Sequence, residues 1–147
     1  MKPSGGIAAL SILICAASLC GCSASVAGPT VAQARERFYS VLDETQAAVG
    51  GVWENRDDSL ARSCVIPNQS DGKQYPGLRI GSAPSDPEKS VQRVVNAWVH
   101  LGYSVKRTMI GDIAELQGRN AQDELLIFRV SDAAMTLQGE SECRPAS

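Results

Sequence analysis

The chain has little of what most catalytic and metal sites are built from. It holds a single histidine, His100, and five cysteines among 147 residues, a supply too small and too scattered for a four-ligand zinc site. No serine lies in a Gly-x-Ser-x-Gly motif, and no glycine-rich phosphate loop occurs. We therefore expect no metal, no cofactor and no catalysis, so the protein is not predicted to be an enzyme.

An excess of charge of one sign is also missing. The chain has 14 Lys and Arg residues against 16 Asp and Glu, with no basic run and no acidic tail. A net charge of -2 gives no electrostatic reason to bind nucleic acid or an anionic lipid surface. Internal repeats and low-complexity segments are absent as well, and the length suits one domain with one core.

The main apolar run is too short to span a membrane. Ile7 to Leu19 covers 13 residues, whereas a membrane-spanning helix needs about 20. The run follows Met1 and Lys2 and leads through small residues to Cys22. This order of charged, apolar and small residues is typical of a secretory signal peptide. We expect the segment to be removed on export.

The end of this segment, Leu19-Cys20-Gly21-Cys22, resembles the lipobox of bacterial lipoproteins, in which an aliphatic residue and two small residues precede a cysteine. The resemblance implies that Cys22 becomes the first mature residue and carries a diacylglyceryl thioether. The alternative is a signal peptide without lipidation, in which Cys15, Cys20 and Cys22 are merely small apolar residues.

The lipobox also divides the chain. It implies a signal peptide over residues 1–21, a lipidated tether over 22–29 and a single domain over 30–147. The tether is short, small and uncharged, so that its fully stretched length is about 25 Å. The domain is therefore expected on the extracytoplasmic side of the cell membrane and close to its surface.

Two cysteines remain for the domain, Cys64 and Cys143. An even pair in an oxidising compartment predicts one disulfide. It would close a loop of about 80 residues and contribute roughly 4 to 5 kcal/mol in the chain-entropy model. Two buried free thiols are the competing interpretation.

Two segments show the 3.6-residue periodicity of amphipathic helices. The first begins at a capping box of Thr30 and Gln33 and stops at Gly50-Gly51. Core packing is the favoured role for its apolar stripe, ahead of a coiled coil or a membrane surface. The second begins at a capping box of Ser85 and Glu88, and Gly102 is placed to cap its end. His100 falls on the polar face of the second helix, where a solvated residue is expected and not a base.

The remaining chain predicts strands. Short strands are expected near residues 52–55, 61–66 and 78–81, and a four-stranded meander over 103–138 follows the second helix. The run Leu125 to Phe128 suggests a central strand covered on both faces. Residues 67–77 are predicted to form the least ordered loop. We therefore predict an α+β fold: an antiparallel sheet of four to five strands with two helices packed on one face and one disulfide.

Candidate contacts are few. The carboxylate pairs Asp57/Asp58, Asp123/Glu124 and Glu140/Glu142 fall in predicted turns or at strand ends, where charge serves solubility. Tyr75, in the 67–77 loop, is a possible aromatic ligand contact, although a half-packed tyrosine in a surface loop is the favoured interpretation.

The lipobox, the segment Trp98 to Tyr103 and the closing segment Met135 to Cys143 together resemble the small uncharacterised lipoproteins of actinobacteria. The resemblance implies membrane anchoring through Cys22 and no established activity. We expect a binding or adaptor module held near the outer face of the cytoplasmic membrane, with an envelope protein as a possible partner. An envelope enzyme and a carrier of a small hydrophobic ligand are the alternatives.

Overall fold

The computed structural model describes Met1 and residues 28–67 and 71–146. Its two helices are α1, Val31–Val49, and α2, Pro87–His100. The strands of the described residues are β1 Trp53–Asn55, β2 Arg62–Val65, β3 Asp71–Gln74, β4 Pro76–Gly81, β5 Ser104–Ile110, β6 Ile113–Arg119, β7 Leu125–Val130, β8 Met135–Glu140 and β9 Arg144–Pro145.

These strands form two antiparallel sheets. The main sheet has six strands in the order β1-β4-β8-β7-β6-β5, and the small sheet has three in the order β2-β3-β9. The α+β fold with both helices on one face is confirmed, whereas the predicted count of four to five strands is too low. Short strands are predicted near β1, β2 and β4 but not at β3, which is polar, or at β9, which has two residues.

The helix boundaries follow from capping. Thr30 accepts a hydrogen bond from the backbone N–H of Gln33, and Gln33 reaches back to the N–H of Thr30, so the predicted capping box is present. At α2 the prediction is wrong by one residue. The cap is Asp86, whose carboxylate accepts from the N–H of Lys89 at 2.9 Å. Pro87 then takes the first helical position, where its missing donor costs nothing.

The core lies between the helices and one face of the main sheet. Trp98 of α2 is fully buried, and its indole N–H donates to Thr45 of α1 at 2.9 Å, which fixes the two helices to each other. A side chain at Gly118 of β6 would lie 2.7 Å from the Trp98 ring, so only glycine lets helix and sheet approach this closely. The largest other fully buried side chains are Phe38, Leu42, Leu116, Leu126, Phe128, Met135 and Leu137.

The small sheet extends the main sheet past one end. β3 runs directly into β4, and β9 follows β8, so the pairs β3–β9 and β4–β8 are consecutive parts of one antiparallel ribbon. The Cys64–Cys143 disulfide is present and joins β2 to the segment between β8 and β9. Its path crosses Gly72, where a β-carbon would lie 2.5 Å from the Cys143 sulfur.

The domain thus has two distinguishable ends. We call the end with the small sheet, Pro29 and the start of α1 the tether end. The far end has the end of α1, Val52 and the β5–β6 turn. Since α1 has 19 residues, the two ends are about 28 Å apart.

Two predictions about loops and coverage are wrong. Residues 71–74 form β3 and residue 76 begins β4, so much of the predicted 67–77 loop is strand, with residues 68–70 outside the described part. β7 is not covered on both faces, because both described helices pack on the same side of the sheet. Leu126 and Phe128 are buried, whereas Leu125 and Ile127 lie half-buried on the opposite face.

Candidate functional site

The face of the main sheet that the helices leave uncovered carries a groove of about 400 Å³. Its floor comes from neighbouring strands in register. Leu78, Gln138 and Ile127 form one row across β4, β8 and β7, and Pro76, Glu140 and Leu125 form the next. The four apolar side chains of these rows give the groove an aliphatic centre. It lies in the half of the sheet nearest the tether end.

Charged side chains surround this centre. Arg56 and Asp58 come from the loop after β1, Arg62 from the start of β2, and Glu140 from β8. Arg62 lies 3.7 Å from Asp58, and both side chains are partly exposed. Charges of both signs at the edge of an apolar patch favour recognition of a mixed polar and apolar surface.

A second cleft, of about 450 Å³, lies near the tether end between α1, the start of β5 and the loop after β6. The buried side chains of Tyr103, Glu124 and Glu142 line it, together with Arg144. The Tyr103 hydroxyl donates to the Glu124 carboxylate, and Arg144 lies 3.7 Å from Glu142.

Burial raises the pKa of Glu124, and the neighbouring Glu142 carboxylate raises it further, while hydrogen bonds from Tyr103 and from the backbone of Glu142 lower it in part. Burial and the Glu124 carboxylate also raise the pKa of Tyr103. A carboxyl group with a raised pKa in a cleft is a recognised feature of functional sites.

This pKa shift predicts how Glu124→Gln changes stability. Between the ordinary pKa near 4.5 and the raised value, the folded state binds more protons than the unfolded state. The contribution of Glu124 to stability therefore falls as pH rises through this interval. Glutamine keeps the acceptor for Tyr103 without the charge, and we expect the free energy of unfolding at pH 7 to rise by about 1 kcal/mol. Urea unfolding between pH 4 and 8 measures it.

Glu88→Gln is the matched control. The hydrogen bonds and charge of Arg107 lower the pKa of the exposed Glu88, so its stabilising effect is lost as pH falls and removing it should not stabilise the protein at pH 7. If Glu124→Gln shows the same dependence of stability on pH as the unmodified protein, the assignment of this dependence to Glu124 is wrong.

The residues singled out in the sequence lie in different places. Tyr75 is half-buried between β3 and β4, with the Arg35 guanidinium 5.1 Å from the centre of its ring. His100 is exposed at the end of α2. Cys22 lies outside the described residues. Tyr75 faces α1, so the structure does not bring it into the groove.

The prediction that the carboxylate pairs serve solubility is only partly correct. Glu124 and Glu142 are buried, and Asp57 is mostly buried against Arg79, so these three do not serve solubility. The groove is not predicted from the sequence. The feature that could have indicated it is the run Leu125 to Phe128, because its apolar residues fall on both faces of β7 and the helices cover only one of these faces.

Within residues 28–67 and 71–146, no group of three or more His, Cys, Asp or Glu side chains is placed to hold a metal ion. No helix in the described part of the chain has the length and apolar character needed to cross a membrane.

A solved structure shares this fold. The crystal structure of a DUF4853 family protein from Actinomyces odontolyticus ATCC 17982 superimposes with a TM-score of 0.61 at 17% sequence identity, covering 80% of this chain and 67% of that one. At this identity the likeness establishes the fold alone. It agrees with the predicted resemblance to the extent that the neighbour is an actinobacterial protein of an uncharacterised family. No family model and no curated protein matches the chain.

Proposed function

We propose that the protein is a lipid-anchored, extracytoplasmic adaptor that binds an envelope protein through the groove on the uncovered face of its main sheet. The observation that carries the proposal is the anatomy of this face. Leu78, Leu125 and Ile127 supply an aliphatic centre, and charged side chains of both signs enclose it. Stable protein interfaces have the same arrangement of an apolar centre within a polar rim.

The anchor in this proposal rests on the sequence. The lipobox ending at Cys22 supports attachment to the membrane, and the disulfide supports an oxidising compartment. The two features lie in different parts of the chain, since one is in the signal region and the other is within the domain.

The carrier alternative has less support. Trp98, Phe38 and Phe128 fill the space between the helices and the sheet and are fully buried. A lipid-sized ligand would have to displace these side chains, and packed cores resist such displacement.

An envelope enzyme remains the second candidate, because the raised pKa of Glu124 in a cleft is what a general acid requires. The same cleft contains the Tyr103 hydroxyl as a possible partner in proton transfer. A general acid must form a hydrogen bond to its substrate. Glu124 is only 5% exposed, so a ligand in the cleft has little access to its carboxyl group.

Photo-crosslinking in intact cells tests the adaptor. A benzophenone amino acid at Ile127 lies in the groove, and the same probe at Ile113 is the matched control, since Ile113 is half-buried on the same sheet face outside the groove. We expect a discrete protein adduct from position 127 alone. Leu78→Arg, which places a charge in the apolar centre, should reduce its yield about tenfold.

The anchor is tested in the same cells. Cys22→Ala should move the protein from the membrane to the soluble fraction and abolish the adduct if the partner is held at the membrane. Equal adducts from positions 127 and 113, or an adduct unaffected by Leu78→Arg, would contradict the assignment of the groove. A mature N-terminus without a glyceride, found by mass spectrometry, would contradict the anchor.

A further inference from the structure

We infer that the tether end of the domain makes a second contact with the membrane, in which the face of the small sheet that carries Val65 rests on the lipid surface. The inference rests on the proposed anchor at Cys22. It adds an orientation, because a lipid at one end of the chain does not by itself fix which side of the domain faces the membrane.

The first step is the point where the chain enters the domain. The Arg144 guanidinium of β9 donates to the Pro29 carbonyl at 2.7 Å and packs against Gly28. α1 begins two residues later, at Val31. Gly28 is six residues after Cys22, and a fully extended chain of this length spans about 20 Å. The tether end is therefore kept within this distance of the bilayer.

The second step places Val65 beside that entry point. Arg144 pairs with Lys73 of β3, and Lys73 pairs with Ser63 of β2. Neighbouring strands are about 4.8 Å apart, so Ser63 is about 10 Å from Arg144. Alternate residues of a strand share a face, which puts Val65 on the same side as Ser63 and Arg144. This side of the small sheet is the one that receives the tether.

The third step concerns exposure. Val65 is 78% exposed and Leu60, which precedes β2, is 73% exposed. Val52 at the far end is 77% exposed, so exposure alone does not choose between the ends. The tether does, because it holds one end near the lipid while the far end stands about 28 Å away along α1.

The bilayer is the occupant that fits this surface. Lys73 lies on the same face as the valine, and its long side chain can rest an apolar stem on the lipid while the charge stays in water. The acidic Asp71 on this face balances the charge of Lys73, so we expect apolar contact and not attraction to anionic lipid. Vesicles of neutral phosphatidylcholine are therefore the appropriate probe.

The orientation has a consequence for the groove. Its second row, Pro76, Glu140 and Leu125, lies at the end of the main sheet where the small sheet begins. A domain held at this end keeps the groove close to the lipid, because the groove lies in the half of the main sheet nearest the small sheet. The partner of the groove would then be met at the membrane surface.

Quenching by brominated lipid tests the contact. Full-length lipidated protein carrying Val65→Trp is reconstituted into phosphatidylcholine vesicles with brominated acyl chains, and Val52→Trp is the control with the same residue type and the same exposure. Apolar side chains at an interface enter roughly 5–10 Å into the headgroup region, and we expect about twofold more quenching at position 65 than at position 52. Trp53 and Trp98 contribute the same background to both variants.

The outcomes separate the contact from the anchor. Vesicle flotation reports the anchor, and a protein that fails to float overturns both proposals. A protein that floats but shows equal quenching at the two positions overturns the contact alone. Acrylamide, a quencher in water, identifies the remaining case: if Trp at position 65 is shielded from both quenchers, another protein surface covers it and the lipid contact is wrong.

Discussion

Replacing Cys64 and Cys143 together by alanine should lower the free energy of unfolding by about 4 kcal/mol. The two residues are 79 positions apart, so the crosslink greatly restricts the unfolded chain. The small sheet has few contacts to replace it, because β2 pairs with β3 alone and spans four residues. We expect the loss to begin there, with faster amide hydrogen exchange in β2 than in the main sheet.

Denaturant unfolding of the variant and of the unmodified protein measures this loss, with and without reductant. Reductant should shift the midpoint of the unmodified protein to that of the variant and leave the variant unchanged. Equal midpoints for the two proteins in the absence of reductant would contradict the prediction. Uniform exchange across both sheets would instead contradict the view that the small sheet is the least stable part.

The disulfide also shows what the sequence could establish. Cys64 and Cys143 were paired from compartment and parity, and the helices were located from caps and periodicity, all of which are local or compositional signals. The α+β class and the single covered face follow from these helices and the later strand alternation. The disulfide, the α+β class and the single covered face are confirmed, and both helices are present, although the cap of α2 is Asp86 and not the predicted Ser85.

What failed depends on contacts between distant residues. β3 is polar and lies among turn-forming residues, so its propensity predicts a loop, and its pairing with β2 and β9 makes it a strand. The burial of Glu124 depends on Tyr103, 21 residues away. No local pattern distinguishes such a carboxylate from a solvated one at a strand end. The groove depends likewise on which face the helices cover.

For the same reason, the sequence does not predict the burial of Arg79, an arginine in β4 whose side chain is 97% buried. Its guanidinium contacts Asp57 at 2.8 Å and Asp43 of α1 at 2.6 Å. Asp57 also accepts the backbone N–H of Leu78 at 3.0 Å. One buried cation therefore joins α1, β4 and the loop after β1. Breaking such a group by removing one partner leaves a buried charge uncompensated.

Arg79→Met should consequently lower the free energy of unfolding by about 3 to 5 kcal/mol. Arg56→Met is the matched control, because Arg56 and Glu54 form an exposed pair at 2.8 Å, for which we expect a much smaller loss of stability. Adding Asp57→Asn to Arg79→Met removes the stranded charge and keeps an acceptor for Leu78, so it should restore part of the stability. Urea unfolding of the unmodified protein and the three variants measures these changes. Equal losses for Arg79→Met and Arg56→Met, or no recovery in the double variant, would show that charge burial is not what makes Arg79 important.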